Sequence, residues 1–397
     1  MASIFLATEI DEGMGHIAPW FGFVEQALGR GHQVDMAAPN VGLLNRTIAS
    51  RLPVRLWSGP RLRSLGRGHA GGHQPAAKAW VELLVGLGYA QPLELDGMVK
   101  AWCNLLTLVT PSVVLADFAP ALVLAGHVLN IPVFEVGGGY CVPPLAPQLQ
   151  NFPGVRRDSA GLMRADLALC ASVNHCLARF HRPLIATYGD VQSWPAHRVI
   201  RSPPELDHYG PRSGVTYAGL LSPAPSSNEP TTPSDPWPAV VGYLKSTTPG
   251  VETLLAELSD NHIPALIHMP GLPADRPRVP SSVRLAPQPI DLASALEHAH
   301  VYLSNGGLHG VGLALQRGCW PVVVPQQAEQ VAMARNLIRR DWGSIWLAGS
   351  ANSDLLAIQA AITAGEQGTR QTRLPFQTPS AEEVLLNLLE DCKGPRL

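Results

Sequence analysis

Residues 301–337 read VYLSNGGLHGVGLALQRGCWPVVVPQQAEQVAMARNL, and this stretch decides the fold class. The apolar run 301–303 predicts a buried strand that ends at the pair Gly306-Gly307, after which a helical pattern of apolar residues begins at once. A second apolar strand follows over 321–324, and then another helix. Strands that alternate with helices in this way predict a parallel sheet of an α/β protein.

The same stretch carries groups that suit a phosphorylated sugar. Glycines at a strand-to-helix turn leave backbone N–H groups exposed at a helix N-terminus, where the helix dipole favours an anion. Glu329 and Gln330 place a carboxylate and an amide at the next strand end, where they are able to hold hydroxyl groups. A diphosphate beside a polyol is what a nucleotide-sugar offers. Two simpler alternatives stay open, because a Gly-Gly turn is common in doubly wound sheets and a Glu-Gln pair often only begins a helix.

The order of these features resembles the donor-binding half of the GT-B glycosyltransferases, in particular the family 1 nucleotide-sugar enzymes. The resemblance implies a diphosphate held at the glycine turn, a donor sugar held by the Glu-Gln pair, and a nucleotide near an upstream Pro-Gln element. The elements that carry it are Gly306-Gly307, Gly318-Cys319-Trp320-Pro321, Pro325 before Glu329-Gln330, and Pro287-Gln288. The implied donor-binding residues are Gln288, Asn305, Gly306, Gly307, Leu308, His309, Glu329 and Gln330.

The beginning of the chain predicts a second α/β sheet. Residues 3–39 read SIFLATEIDEGMGHIAPWFGFVEQALGRGHQVDMAAP, which predicts a strand over 3–8, a helix to about residue 30 and a strand over 33–37. Acidic residues interrupt the first apolar run at Glu9 and again at 11–12, so we expect no secretory signal segment there.

A histidine and an aspartate follow strands of this first sheet. The stretch Gly15-His16-Ile17-Ala18-Pro19 resembles the family's first motif, which implies that His16 is the general base of an inverting transfer. Imidazole suits that role because its ordinary pKa is near ~6.5. Asp117 ends the predicted strand 111–116, and the resemblance implies that its carboxylate orients the base. The alternatives are that His16 only lines a helix start and that Asp117 only caps the next helix.

A third resemblance covers Ser202-Pro203-Pro204-Glu205-Leu206-Asp207 and Val215-Thr216-Tyr217-Ala218-Gly219, so it extends over most of the chain. Some positions depart from the family's pattern. Asn305 stands where many members have a histidine, and Leu285 stands where the plant-type enzymes have a base-stacking tryptophan. Residues 308–310 lack the usual Ser or Thr, and residues 242–247 keep one glycine of a Gly-rich loop. The identity of the nucleotide base and of the sugar therefore stays open.

The length and composition suit two domains. The chain has 397 residues, 46% of them hydrophobic and 15% charged. We expect an acceptor-binding domain over 1–221, a Pro/Ser-rich linker over 222–236, and a nucleotide-sugar-binding domain over 237–379. A helix over 380–397 is expected to pack back on the first domain. Together these features predict two doubly wound Rossmann-like domains facing across a cleft, the GT-B arrangement.

The charge and the cysteines exclude several classes of function. A net charge of −2 gives no electrostatic reason to expect nucleic acid as a partner. No apolar run approaches the ~18 residues of a transmembrane segment. The six cysteines lack Cys-x-x-Cys spacing, so we expect reduced thiols, no metal site and a cytoplasmic protein.

The resulting hypothesis is an inverting glycosyltransferase that uses a UDP- or dTDP-sugar as donor and has no obligatory cofactor. The acceptor is expected to be a small, lipophilic molecule, with Trp80 and Tyr140 either as acceptor contacts or as core aromatics. A homodimer stays open. The alternatives are a catalytically silent relative that activates a partner glycosyltransferase, and a nucleotide-sugar epimerase or hydrolase.

Overall fold

The structure is a computed structural model. It describes residues 1–10, 14–61, 77–146, 150–155, 158–222, 238–270, 282–347, 351–367 and 379–391. The expected linker after Ser222 lies outside the described residues, as do Cys392 and the last six residues of the expected 380–397 helix. The chain divides into two compact units, the first comprising Met1–Ala224 with Thr378–Leu397 and the second comprising Pro225–Gln377.

The first unit is built on a seven-stranded sheet whose neighbouring strands are all parallel. Its central strands are largely apolar and almost entirely buried, as expected for a parallel sheet covered on both faces. The strands are β1 (Ser3–Thr8), β2 (Gln33–Ala38), β3 (Arg55–Ser58), β4 (Val113–Asp117), β5 (Val133–Gly137), β6 (His197–Arg201) and β7 (Thr216–Ala218). Their order is β3-β2-β1-β4-β5-β6-β7.

The strand order of this sheet reverses between β1 and β4. In an open α/β sheet the crevice at such a reversal, outside the carboxyl ends of the strands, is where ligands bind. Helices cover both faces of the sheet and form one apolar core with each face. They are α1 (Phe21–Gly29), α2 (Val41–Leu44), α3 (Trp80–Gly86), α4 (Pro92–Val109), α5 (Pro120–Leu129) and α6 (Ser159–Arg179).

The second unit is a six-stranded parallel sheet with its own core. The strands are β8 (Val240–Tyr243), β9 (Ala265–His268), β10 (Val283–Ala286), β11 (Val301–Ser304), β12 (Trp320–Val323) and β13 (Ser344–Ile345), and the helices are α7 (Val251–Asp260), α8 (Leu292–His298), α9 (Leu308–Gln316), α10 (Ala328–Arg339) and α11 (Ala351–Glu366). The strand order is β10-β9-β8-β11-β12-β13, so the reversal here falls between β8 and β11.

The last described helix, α12 (Ala381–Asp391), belongs to the first unit. Its apolar residues Leu385, Leu386 and Leu389 are buried in the same core as α1. The side chain of Glu382 is fully buried and accepts a hydrogen bond from the backbone N–H of Ser222.

Most of the strands expected from the sequence are confirmed. The predicted strands 3–8, 240–243 and 265–268 coincide with β1, β8 and β9. The helices α4 and α6, 18 and 21 residues long, were not predicted, because their apolar residues are interspersed with small and polar ones. The strand β6 was also not predicted, and this omission matters for the site.

Candidate functional site

His16 and Asp117 meet at the strand reversal of the first sheet. His16 lies in the short 3-10 turn Met14–His16 that follows β1, and Asp117 is the last residue of β4. The His16 Nδ1 atom lies 2.8 Å from Asp117 Oδ1. A carboxylate on Nδ1 favours the tautomer that carries its proton there, which leaves Nε2 able to accept one. The His16 side chain is 23% exposed and is therefore accessible to a reactant.

The Asp117 carboxylate is completely buried, and three side chains contact it. His16 contacts Oδ1, whereas the Trp20 indole donates to Oδ2 at 2.9 Å. The Arg201 guanidinium reaches the same Oδ2, with its Nη2 atom at 3.2 Å. Burial alone would raise the pKa of Asp117. The positive charge of Arg201 and the hydrogen bonds from His16 and Trp20 outweigh burial, so the pKa is lowered and the carboxylate stays ionised.

The residue after Asp117 stores backbone strain. Phe118 has φ +48°, a left-handed conformation that is uncommon for an aromatic residue. Its carbonyl accepts the backbone N–H of Glu9, and its ring lies edge-on to the His16 ring at 6.2 Å between centroids. Strained residues of this kind cluster at active sites, where the surrounding structure holds them. Phe118 therefore forms one wall beside the His16 imidazole.

A buried carboxylate joins β1 to the start of α5. Glu9 accepts hydrogen bonds from Tyr89 Oη (2.6 Å), Trp102 Nε1 (2.7 Å) and the backbone N–H groups of Ala121 and Leu122 (3.3 and 2.8 Å). Burial raises the pKa of Glu9 to about 7, although the four donors act in the opposite direction. This network anchors the segments on either side of the His16–Asp117 pair.

Both candidate acceptor contacts are buried in the first core. Trp80 is 1% exposed, and its ring packs edge-on against Phe118 at 5.2 Å. Tyr140 is also buried and stacks on Phe152 with 4.3 Å between ring centroids. Beside Trp80 lies a cavity of about 10 Å³, lined also by Glu135 among others. This is roughly the room that one water molecule needs. The geometry favours the core alternative for both residues in this conformation.

In the second unit, the glycine turn follows β11 at the strand reversal. Gly306 has φ +93°, and a Cβ atom there would lie 2.7 Å from Val323 Cγ1, so the position requires glycine. Gly307 is the N-cap of α9, and a Cβ atom on it would meet no atom within 4 Å. The helix start has no side-chain cap. Leu308 and His309 form its first turn, half-buried. These features suit an anion at the helix N-terminus.

The Asn305 side chain is hydrogen-bonded to segments at three strand ends. Its Oδ1 accepts the backbone N–H of Lys245 at 2.9 Å, and its Nδ2 donates to Thr248 Oγ1 at 3.1 Å and to the Val324 carbonyl at 2.8 Å. These bonds join the segments that follow β8, β11 and β12. The Asn305 side chain thus has three protein partners, and its contact with the donor stays a prediction. The side chain of Lys245 is exposed nearby.

The Glu329-Gln330 pair begins α10, one strand further along the sheet. Gln330 Oε1 accepts the backbone N–H groups of Gln326 and Gln327, at 2.7 and 3.3 Å, so it acts as a helix-capping residue. Glu329 is half-buried in the first turn. Gln288 lies exposed at the bend after β10.

Three groups of the candidate sites were not predicted from the sequence: Arg201, Trp20 and the Thr248 hydroxyl. Thr248 Oγ1 donates to the Lys245 carbonyl and accepts from both Asn305 and Gln326, at 3.1 and 2.9 Å. A signal for Arg201 existed: an arginine directly after the apolar pair Val199-Ile200 and before Ser202 marks a strand end.

Neither a metal cluster nor a membrane span is visible in the parts that the structure describes. No three His, Cys, Asp or Glu side chains gather there as metal ligands. Among the described helices, none is long and apolar enough to cross a bilayer. The five described cysteines are buried thiols.

Comparisons of the structure with solved structures identify the fold. The glycotransferase of kitacinnamycin superposes with a TM-score of 0.72 at 15% sequence identity, covering 98% of this chain and 99% of that one. The calicheamicin glycosyltransferase gives 0.70 at 16% identity, with both chains covered completely. The spinosyn rhamnosyltransferase complexed with thymidine diphosphate gives 0.66 at 18% identity, covering 98% and 100%. No family model matches the sequence, and no curated protein does either. The protein therefore has the GT-B fold of these glycosyltransferases, and the predicted fold class is confirmed.

Proposed function

We propose that the protein is an inverting glycosyltransferase that moves a sugar from a nucleoside-diphosphate sugar to a hydroxyl group of a small-molecule acceptor. The observation that carries this proposal is the His16–Asp117 pair, 2.8 Å apart at the strand reversal of a GT-B fold. The first unit, over about 1–221 with the returning helix, binds the acceptor, and the second, from about 237 to 379, binds the donor.

In this proposal His16 is the general base. Its Nε2 accepts the proton of the acceptor hydroxyl while the oxygen attacks the anomeric carbon from the face opposite the leaving group. Asp117 is ionised, holds the imidazole in the required tautomer and stabilises the imidazolium that forms. Attack from the opposite face inverts the configuration of the anomeric carbon.

The donor diphosphate binds at the start of α9. The backbone N–H groups around Gly307 and the helix dipole stabilise the charge that develops on the departing diphosphate, so the proposal requires no metal ion. Open space at Gly307 leaves room for the phosphates. Glu329 contacts the donor sugar, and the exposed Gln288 lies near the nucleotide. The donor is a dTDP- or UDP-sugar, and solved structures of the same fold bound to thymidine diphosphate support the dTDP form.

One observation favours a second candidate, a catalytically silent relative that supports a partner glycosyltransferase. The side chains of Asn305 and Gln330 are engaged in internal hydrogen bonds, so the expected polar contacts to the donor are fewer than the sequence implied. A silent protein of this kind would keep the fold and lose sugar transfer.

The two candidates are separated by a binding and transfer experiment. We would titrate the protein with UDP, dTDP and GDP by calorimetry, and then incubate it with the corresponding sugars and a panel of lipophilic phenols and alcohols. Glycosylated product is detected by mass spectrometry, and its anomeric configuration by NMR. We expect His16→Ala to bind nucleotide as the wild type does and to form no product. The control is His181→Asn, which changes an exposed histidine outside the pair.

Product formed by His16→Ala at the wild-type rate would refute the assignment of the base. If the wild type binds a nucleotide but forms no product with any acceptor of the panel, the silent relative is favoured. No binding of any nucleotide would refute the proposed donor site at α9.

A further inference from the structure

We propose that Arg201 is a third member of the His16–Asp117 group, a positioning residue that holds the base loop against the aspartate and limits the proton affinity of the base. The proposal deepens the proposed function. Its physical content, a cation that acts on His16 through Asp117, is testable without any sugar transfer.

Arg201 reaches the group from a distant strand. It is the last residue of β6, and β5 lies between β6 and the strand that carries Asp117. The guanidinium spans that gap, and only 10% of the side chain is exposed. A buried arginine directed across a neighbouring strand is costly unless its charge is compensated, and Asp117 is the carboxylate that compensates it.

A single nitrogen of Arg201 makes two contacts that matter for His16. Nη2 lies 3.2 Å from Asp117 Oδ2 and donates to the carbonyl of Gly15 at 3.3 Å. Gly15 is the residue before His16, in the same 3-10 turn. The arginine therefore connects the backbone of the base loop to the carboxylate that orients the base.

The charge of Arg201 also changes what Asp117 does to the imidazole. A carboxylate that faces a histidine alone stabilises the imidazolium with its full negative charge. Here Asp117 Oδ2 is shared with a permanent cation, so His16 experiences a partly neutralised partner. Among the described charged groups near the pair, Asp117 comes from β4 and Arg201 from β6, while Glu9 after β1 is bound to Tyr89 and Trp102.

The test measures how fast His16 reacts with diethylpyrocarbonate, which acylates only unprotonated imidazole. Peptide mass spectrometry follows His16 separately from the other histidines, and His16→Gln confirms the assignment. For Arg201→Met we expect the ratio of the rate at pH 8 to the rate at pH 6 to rise about fivefold, because removing one charge near Asp117 favours the protonated ring. Arg201→Lys keeps a positive charge and should keep a ratio near that of the wild type.

The control is Arg198→Met on the same strand. Arg198 forms a buried ion pair with Glu135 at 2.9 Å, so this variant also breaks a buried pair, without touching Asp117. Its ratio should equal that of the wild type. Arg201→Gln serves as a second neutral variant if Arg201→Met does not fold, as judged by thermal unfolding. Glu9, whose pKa burial raises to about 7, is present in every variant.

A purely structural role predicts a different result. Loosening of the base loop would expose His16 and raise its rate by the same factor at both pH values, so an unchanged ratio in Arg201→Met overturns the proposal. An equal change in Arg201→Lys and Arg201→Met would overturn it too. Once an acceptor is known, the kcat of Arg201→Met should fall about 10- to 100-fold relative to the wild type, with little change in KM for the donor. The acid limb of the kcat/KM profile should move to higher pH. An altered acylation ratio without sugar transfer in any variant would keep the inference and refute the proposed function.

Discussion

The indole nitrogen of Trp20 lies 2.9 Å from Oδ2 of Asp117, the carboxylate oxygen that His16 does not contact. Trp20 is fully buried and packs edge-on against Phe23 at 5.6 Å, so its position is determined by the core under α1. The aspartate is thus held by a neutral donor that packing fixes in place and by a cation from β6. Its orientation does not depend on the histidine that it serves.

Replacing Trp20 by phenylalanine should reduce the transfer rate about tenfold, because the ring still packs while Asp117 loses a donor. Trp57→Phe is the matched control: Trp57 donates to Asp35 Oδ1 at 2.7 Å in the same unit, away from His16. Each variant should lose about 1–3 kcal/mol of unfolding free energy, measured in urea. Only Trp20→Phe should lose activity, and equal activities in the two variants would contradict this account of Asp117.

Glu9 should make the protein less stable as the pH rises. Its pKa in the folded protein is about 7, above the ordinary value of 4.5, so the folded state binds a proton that the unfolded chain releases. The contribution of Glu9 to stability is therefore complete below pH 4.5 and is lost as the pH rises to about 7. The loss is on the order of 3 kcal/mol. Urea unfolding from pH 5 to pH 8 measures it.

In Glu9→Gln this part of the pH dependence should disappear, because the amide does not titrate. Glu82→Gln, at a glutamate that is only half-buried, should retain the wild-type slope. Identical slopes in the wild type and Glu9→Gln would show that the four donors keep Glu9 ionised throughout this range.

Gly307→Asp should separate nucleotide binding from stability. Aspartate is a favourable N-cap and its charge suits a helix N-terminus, so the thermal midpoint should stay the same or rise slightly. The added carboxylate would occupy the open space before α9 and repel a diphosphate. We expect calorimetry to show at least a tenfold weaker nucleotide affinity, whereas Gly307→Ala, which adds a methyl group without charge, should bind more tightly than Gly307→Asp. Unchanged affinity in Gly307→Asp would place the diphosphate elsewhere.

Thr248→Val should destabilise the second unit. The Thr248 hydroxyl accepts hydrogen bonds from the buried Asn305 and the half-buried Gln326, and valine would remove this acceptor from both. The expected loss is about 1–3 kcal/mol in urea unfolding. Thr363→Val replaces an exposed threonine in α11 of the same unit and should change stability by less than about 0.5 kcal/mol. Equal effects of the two substitutions would mean that the Thr248 hydroxyl does not hold these strand ends together.

The sequence predicted the elements that are apolar runs bounded by glycine, proline or charge. The strand 240–243 and the turn at Gly306 are of this kind, and they depend on local periodicity. The approach of His16 to Asp117 was implied by the family resemblance, and it agrees with the rule that neighbouring parallel strands expose their carboxyl ends at one edge.

The contacts of Arg201 and Asn305 were beyond the sequence for a physical reason. Arg201 meets Asp117 across an intervening strand, and nothing local distinguishes it from a surface arginine at a strand end. An amide such as that of Asn305 or Gln330 offers the same donors and acceptors to a ligand as to the backbone, so its chemistry alone does not identify its partner. Which partner it takes depends on how the strand ends are spaced in three dimensions.

The burial of α12 in the first unit has a consequence for biosynthesis. A ribosome completes the second unit before it has synthesised Leu385, Leu386 and Leu389, which finish the first core. Until then the first unit carries an uncovered apolar groove against α1, a surface that chaperones bind and that promotes aggregation. The part of the protein that is translated first is therefore the last to mature, and a nonsense codon anywhere between 240 and 380 should damage the N-terminal unit as well as the C-terminal one.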